Sequence, residues 1–306
     1  MTKNKKILVI IGYRGIGDLI YLLPLLRSLY ATYKSKLIII SNKVNHAKHV
    51  YKNENFLKKI INFDNTRLKY FDQIKKTIKF KNLINSFNCD KVYLTSNASR
   101  LVLPISLSNA KEKIIFGKGI FPVVKLKKYK HLTSSKKIFT YTKKLNLKKK
   151  IYNFNLTKPK NIKESRKKVL INLDSHHNQN NWNLGNYIKL INELTKKKFY
   201  IYVNFKQKND LRKKIPKYIL KSRNIELTYK KNISQLINII NQCKYIVGNE
   251  SGPICLGSSF KKNVHAIYIP IHTEPESKLI NNRNKYYNTH KVSEKIIINK
   301  ILKSLK

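Results

Sequence analysis

The chain has 306 residues, 42% of them hydrophobic, enough for two domains that each bury a core. Its formal net charge of +50, from 65 Lys and Arg against 15 Asp and Glu, predicts anionic neighbours. Only eight of the basic residues are Arg, and no helix-turn-helix, zinc-finger or RNP pattern accompanies them, so no specific nucleic-acid partner is expected.

The first predicted element is a buried strand over Ile7–Ile11, followed by the loop Gly12 to Asp18, "GYRGIGD". A helical pattern then runs through Leu22, Leu25, Leu26 and Leu29, with Pro24 placed in its first turn or at a kink one turn in. Asp18 is the only acid before Glu54, in a stretch with ten Lys or Arg. It either caps this helix or acts as a general base, at the strand edge where open α/β sheets bind ligands. The loop is no dinucleotide fingerprint: Ile20 stands where a third glycine belongs, and the next strand ends "SNK" without an acid. It contains no Walker A lysine.

Strand runs recur at "KLIIIS" (36–41) and "KVYLTS" (91–96), and "KKIFTYTKKLNL" predicts a helix. Residues 125–168 hold seventeen Lys or Arg against one acid, Glu164, and the end of that stretch, "KESRKK", reads as the connection between two halves. The rhythm then restarts with "KVLINL", a helix in "WNLGNYIKLINELTKK", "FYIYVNF" and the helix "NISQLINIINQC". "KYIVG" leads into "NESG", then a short helix with Pro253 at its first position, then "VHAIYI". "SEKIIINKILKSLK" closes the chain as an amphipathic helix with Ser293 as N-cap. Strands alternating with helices predict two doubly wound α/β domains.

The second loop, "VGNESGPICLG", aims free helix N–H groups at one point and suits a phosphate or diphosphate. Ser251 can add a hydroxyl and Gly252 a close approach, while Glu250 suits sugar hydroxyls better than phosphate. A plain strand-to-helix turn with a capping serine is the competing reading. Asp174, His176 and His177 lie close together but lack a further ligand nearby, and no metal site is expected there. Glu274 and Glu276 read as a surface turn. Cys89, Cys243 and Cys255 are odd in number and widely spaced, which suits buried thiols in a reducing compartment. The N-terminal apolar run is too short and interrupted for a signal peptide, and none approaches the ~18 residues of a membrane span. These features predict a soluble, cytoplasmic protein able to rest on the inner face of the cytoplasmic membrane.

With both loops in view, the chain resembles glycosyltransferase family 9, the ADP-heptose:lipopolysaccharide heptosyltransferases. "ILVIIGYRGIGDLIYLLPLLRSLYATYKSKLIIIS", "NENFLKKIINFD", "VGNESGPICLGSSF" and "YIPIHTEPE" fall in the family's order. The resemblance implies a GT-B architecture, two doubly wound α/β domains facing a central cleft: 1–160 for the acceptor and 161–306 for the nucleotide sugar. It also implies that the last helix, about 293–306, packs back on the first domain. Transfer would be inverting, metal-independent and without cofactor. Asp18 would be the base, and Arg14, Gly15 and Gly17 would contact the acceptor. Ser175, Asn180, Asn249, Glu250, Ser251, Gly252 and Pro253 would form the donor side. The donor implied by default is ADP-heptose, and the acceptor a lipid-linked or anionic glycan at an anionic membrane surface.

The chain departs from the family pattern in its second half. Leu173-Asp174 replace a usual Pro-Gly pair, and Asn180-Asn181-Trp182-Asn183 replace Lys, a basic residue, Trp and Pro. Glu250 replaces Asp, and Cys255 replaces His. A neutral Asn180 lacks the charge that strengthens a phosphate contact. A family member that binds sugar nucleotide or glycan without transferring it is therefore the alternative, with a nucleic-acid binder behind it on charge alone.

Overall fold

Five apolar residues, Ile7–Ile11, form β1, and all five are buried, as expected of a central strand covered on both faces. The computed structural model describes residues 5–12, 15–64, 70–96, 99–116, 124–125, 134–174, 182–205, 211–229, 231–269, 275–281 and 283–305. From β1 the chain runs through α1 (Ile16–Tyr33), β2 (Leu37–Ser41), α2 (Ala47–Val50), β3 (Leu57–Asn62), α3 (Tyr70–Asn85) and β4 (Lys91–Leu94). It continues with α4 (Ser99–Ser106), β5 (Glu112–Ile115), β6 (Val124–Lys125) and α5 (Ser134–Lys144). These strands form one six-stranded sheet in the order β3-β2-β1-β4-β5-β6, with every pairing parallel.

The second half holds β7 (Ser165–Asn172), α6 (Leu184–Lys196), β8 (Tyr200–Asn204), α7 (Leu211–Lys214), α8 (Lys217–Leu220), β9 (Ile225–Leu227) and α9 (Ile233–Gln242). Then come β10 (Cys243–Asn249), α10 (Gly252–Ser259), β11 (Asn263–Tyr268), β12 (Lys285–Asn288) and α11 (Glu294–Ser304). Its sheet is again parallel and six-stranded, in the order β12-β11-β10-β7-β8-β9. Counted within each half, both sheets have the order 3-2-1-4-5-6, so each has one switch point, between β1 and β4 and between β7 and β10. Such points open a crevice beyond the strands' carboxyl ends.

The chain divides into two units between Phe154 and Asn155 rather than after 160. "KESRKK" is not all connection, because Ser165 and the three residues after it already belong to β7. Lys168 stays there by laying its ammonium over the Tyr200 and Tyr202 rings and donating to Gln242 Oε1 at 3.1 Å. Pro24 lies neither in the first turn nor one turn in, but two turns inside α1. Its missing N–H leaves the carbonyl four residues earlier without its helical donor, while the buried leucines on either side carry the helix on to Tyr33. Asn232 and Gln235 cap α9 reciprocally, at 2.9 and 3.0 Å, an arrangement worth about 1 kcal/mol. Ser293 does stand at the N-cap of α11, without a capping bond from its side chain. One face of α11 lies in the second unit's own core, while Ile296 on the helix is 47% exposed. Ile297, Ile298 and Ile301 are buried in that core with Tyr187, Leu190 and Leu194 of α6.

Candidate active site

In the first unit the switch point is built around Gly12, which follows β1. A Cβ there would lie 1.8 Å from Ser96 Oγ and 2.6 Å from Ser96 Cβ, so only glycine lets the chain leave β1 past the end of β4. Thr95 closes the same edge by donating its N–H to the Ile10 carbonyl at 3.0 Å. Ser96 Oγ is buried with no hydrogen-bond partner among the described residues.

Gly15 is the N-cap of α1, and Gly17 and Asp18 stand in the first helical turn. Glycine has no side chain to cap with, so only half of a capping box exists: Asp18 Oδ2 accepts the Gly15 N–H at 3.1 Å. The helix terminus and this bond both favour an ionised carboxylate. Asp18 is half-buried. Next to it, fully buried Tyr51 donates its hydroxyl to the Leu19 carbonyl at 2.6 Å. Burial first, and then the carboxylates of Glu54 and Asp18, hold that phenol well above its ordinary pKa. Farther along α1, Arg27 pairs with Glu54 at 2.8 Å and donates to the Asn153 carbonyl at 3.1 Å, which ties the helix to the unit's last segment. Asp18 therefore caps its helix through one oxygen and stands at the carboxyl end of β1. Arg14 lies outside the described residues.

The second unit repeats the topology with different groups. Gly248 is needed because a Cβ would lie 2.3 Å from the Asn172 carbonyl oxygen, where β10 closes on β7. From there a chain of amides and hydroxyls crosses the carboxyl ends of four strands. Thr228 Oγ1 donates to Asn204 Oδ1 at 3.0 Å, and Asn204 Nδ2 donates to Asn172 Oδ1 at 2.6 Å. Asn172 Nδ2 in turn donates to Ser251 Oγ at 3.0 Å and to the Asp174 carbonyl at 2.5 Å. Ser251 Oγ donates to the Asn249 carbonyl at 2.8 Å.

This network redefines the expected donor residues. Ser251 is the N-cap of α10, but its hydroxyl donates to the Asn249 carbonyl and accepts from Asn172 Nδ2, and it makes no capping bond to the helix. Asn249 is fully buried, and its carboxamide spans Trp182 N–H at 2.8 Å and the Leu173 carbonyl at 2.6 Å. Glu250 Oε1 accepts the Ser277 N–H at 2.7 Å, in the 3-10 turn Glu276–Leu279. Gly252 begins α10, and Pro253 is its second residue rather than its first. The first-turn N–H groups of such a helix have no acceptor within it. Ser175, Asn180, His176, His177 and Glu274 lie outside the described residues.

Sequence reasoning missed Asn172, Asn204 and Thr228. Each ends or directly follows an apolar strand run, "VLIN", "IYVN" and "IEL-T", and that repeated polar terminus was the available signal. The three cysteines are buried. Burial pushes Cys89 up to about 11 and Cys243 up to about 12, so neither is a thiolate at neutral pH. Among the described residues no three His, Cys, Asp or Glu side chains gather as a metal site would require. No helix among them is long and apolar enough to cross a membrane.

The family model for glycosyltransferase family 9 (heptosyltransferase) matches residues 126–301, more than half of the chain, and includes the β10–α10 loop but not the Asp18 loop. No curated protein matches. Among solved structures, a glycosyl transferase family 9 protein from Veillonella parvula aligns with a TM-score of 0.77 at 14% identity, covering 99% of this chain and 90% of its own. E. coli heptosyltransferase WaaC with ADP aligns at 0.74 and 12% identity, covering 98% and 100%. E. coli ADP-heptose lps heptosyltransferase II aligns at 0.73 and 13%, covering 98% of each chain. Likeness of that extent shows the α/β fold of the GT-B class. With the family match spanning the second unit and its helix-terminus loop, the chain belongs to glycosyltransferase family 9, and is a glycosyltransferase.

Proposed function

We propose that this protein transfers a sugar, heptose by family default, from a nucleoside diphosphate sugar to a lipid-linked or anionic surface glycan, with inversion. The observation that carries the reading is the pair of switch points in a family 9 chain: a carboxylate at one, a helix N-terminus at the other. Asp18 accepts the proton of the acceptor hydroxyl as that oxygen attacks the anomeric carbon. The bond from that carbon to the diphosphate oxygen breaks on the opposite side, which inverts the centre. Negative charge then develops on the leaving diphosphate, where the amides of Gly252 and Ile254 at the start of α10 receive it. Gly15 and Gly17 admit the acceptor close to the backbone, as does Gly252 for the donor. Arg14, Ser175 and Asn180 complete the proposed contacts.

Asn249, Glu250 and Ser251 act differently from a direct donor grip. Their side chains bond to the protein itself, so they shape the α10 entrance while backbone amides meet the phosphate. ADP is the first nucleotide to test, since a structurally similar heptosyltransferase is known with ADP. The same internal bonding favours the second reading, a protein that holds a sugar nucleotide without transferring it.

Two measurements decide. Thermal unfolding with ADP, UDP, GDP, CDP and dTDP in turn is expected to show stabilisation by ADP, about 2.7 kcal/mol at 100 times its dissociation constant. Incubation with ADP-heptose and lipopolysaccharide-derived acceptors is expected to yield ADP and a glycan heavier by one heptose, seen by mass spectrometry. Stabilisation without product across the acceptors would establish the binding protein instead, and stabilisation by another diphosphate alone would replace the donor.

A further inference from the structure

Helix α3 has two unlike faces. Phe80 and Ile84 are buried against the first sheet, in a cluster with Leu8, Ile38 and Leu94. On the opposite face Phe71, Ile74 and Ile78 are 78%, 43% and 53% exposed. Their spacing of three and four residues stacks them into one stripe along the helix. At 100° per residue, Lys75 and Lys79 flank the stripe on one side and Lys81 on the other. Helix α4 packs beside α3 on the same face of the sheet, and Leu103 on it and Leu107 in the turn after it are 44% and 55% exposed. All five side chains stand outside the buried cluster of the first unit. Scattered exposed leucines are ordinary, but an apolar stripe along one helix, edged by lysine and accompanied by exposed leucines on the adjoining element, marks an interaction surface.

We propose that the α3–α4 face docks the protein onto a lipid surface of anionic headgroups. The chemistry of this face selects that occupant. Aromatic and branched apolar side chains on one face with lysines along its borders is the pattern of a helix lying in the interfacial plane. Phe71, Ile74 and Ile78 enter the acyl boundary, and the lysine stems lie along the stripe with their ammonium groups among headgroup phosphates. A second copy of a chain carrying +50 would be repelled from a lysine-edged face, whereas an anionic bilayer attracts it. The inference deepens the proposed function only in its use: such docking would bring the enzyme to a lipid-linked acceptor.

Co-sedimentation with vesicles tests it, using phosphatidylcholine alone and phosphatidylcholine mixed with phosphatidylglycerol. The wild-type protein is expected to bind the mixed vesicles, and to keep part of that binding in salt high enough to screen simple attraction. Phe71→Ser/Ile74→Ser/Ile78→Ser is expected to bind at least about tenfold more weakly with an unchanged melting temperature, and Lys75→Gln/Lys79→Gln to weaken binding less. Leu103→Ser serves as an independent single change should the triple variant unfold. Equal binding by wild type and both apolar variants would overturn the proposal in favour of the general basic surface. So would absence of vesicle binding, or a wild-type dimer that these variants dissolve. Transfer to a water-soluble acceptor separates the two readings: the apolar variants should retain it, and its absence in a wild-type protein that binds vesicles would sink the proposed function alone.

Discussion

At its switch point the first sheet offers glycines, a carboxylate and a serine hydroxyl with no partner among the described residues. At the equivalent point the second offers a row of amides and hydroxyls bonded to one another. The strand order is the same in both, so topology chooses where a ligand can bind and not what happens there. The carboxylate end holds a group able to take a proton. The amide end holds groups that titrate at no ordinary pH and serve to fix a backbone. That division suits a reaction in which one partner loses a proton and the other only has to be held.

The comparison breaks most sharply at Asp18. Asp18→Asn keeps an oxygen for the Gly15 N–H and removes the proposed base, so kcat is expected to fall about 10²- to 10⁴-fold with the melting temperature unchanged. Full turnover by this variant would take Asp18 out of the reaction. The two glycines sharpen the contrast on the stability side. Gly248→Ala places its Cβ against backbone of β7 and is expected to cost about 3 kcal/mol or more in denaturant unfolding. Gly12→Ala meets Ser96 Oγ, which can rotate away, and Ser96 Cβ at 2.6 Å, which moves only with its backbone, so it too should destabilise, by about 2 kcal/mol.

Next comes the network. Asn172→Ala leaves Asn204 without its acceptor and Ser251 without its donor, a loss of roughly 2 kcal/mol. Nucleotide binding is expected to weaken with it, because the entrance to α10 loosens.

A pH effect is expected in the second unit at His265. His265 is held down to about 3, by burial first and then by the Lys285 charge, and is bonded to Tyr287 Oη and Ser304 Oγ at 2.9 Å each. Its folded value lies below its unfolded one, so its contribution is complete above about pH 6.5 and is lost as pH falls from there toward 3. Unfolding free energy should drop by about 1.4 kcal/mol per pH unit through this residue, and His265→Gln should flatten that slope. The smallest effect belongs to Ser96→Ala. Its hydroxyl has no partner among the described residues, so removal should change stability by no more than about 0.5 kcal/mol.

Much of this was readable before any coordinates. Apolar runs such as "ILVII" and "KYIVG" are strands because a parallel sheet buries both faces. The two glycine-containing loops were legible as sites because each follows such a run and opens a helix. Weaker strands escaped notice. "LKKIIN", "EKII" and "IEL" carry mixed polarity because β3, β5 and β9 lie toward sheet edges and are only partly buried. Helix α3 was missed for a related reason: apolar residues occupy both of its faces, which blurs the helical period.

Local pattern by itself thus determined the element types, the restart of the strand-helix rhythm and the position of Asp18 beside a helix start. The tertiary structure alone decided that both sheets share one order, because strand order depends on crossovers that no single segment encodes. It also decided that the Asn249, Glu250 and Ser251 side chains face their own protein. Their partners Trp182, Ser277 and Asn172 stand 67, 27 and 79 residues away, and hydrogen bonding between distant residues exists only once the sheet has closed around them.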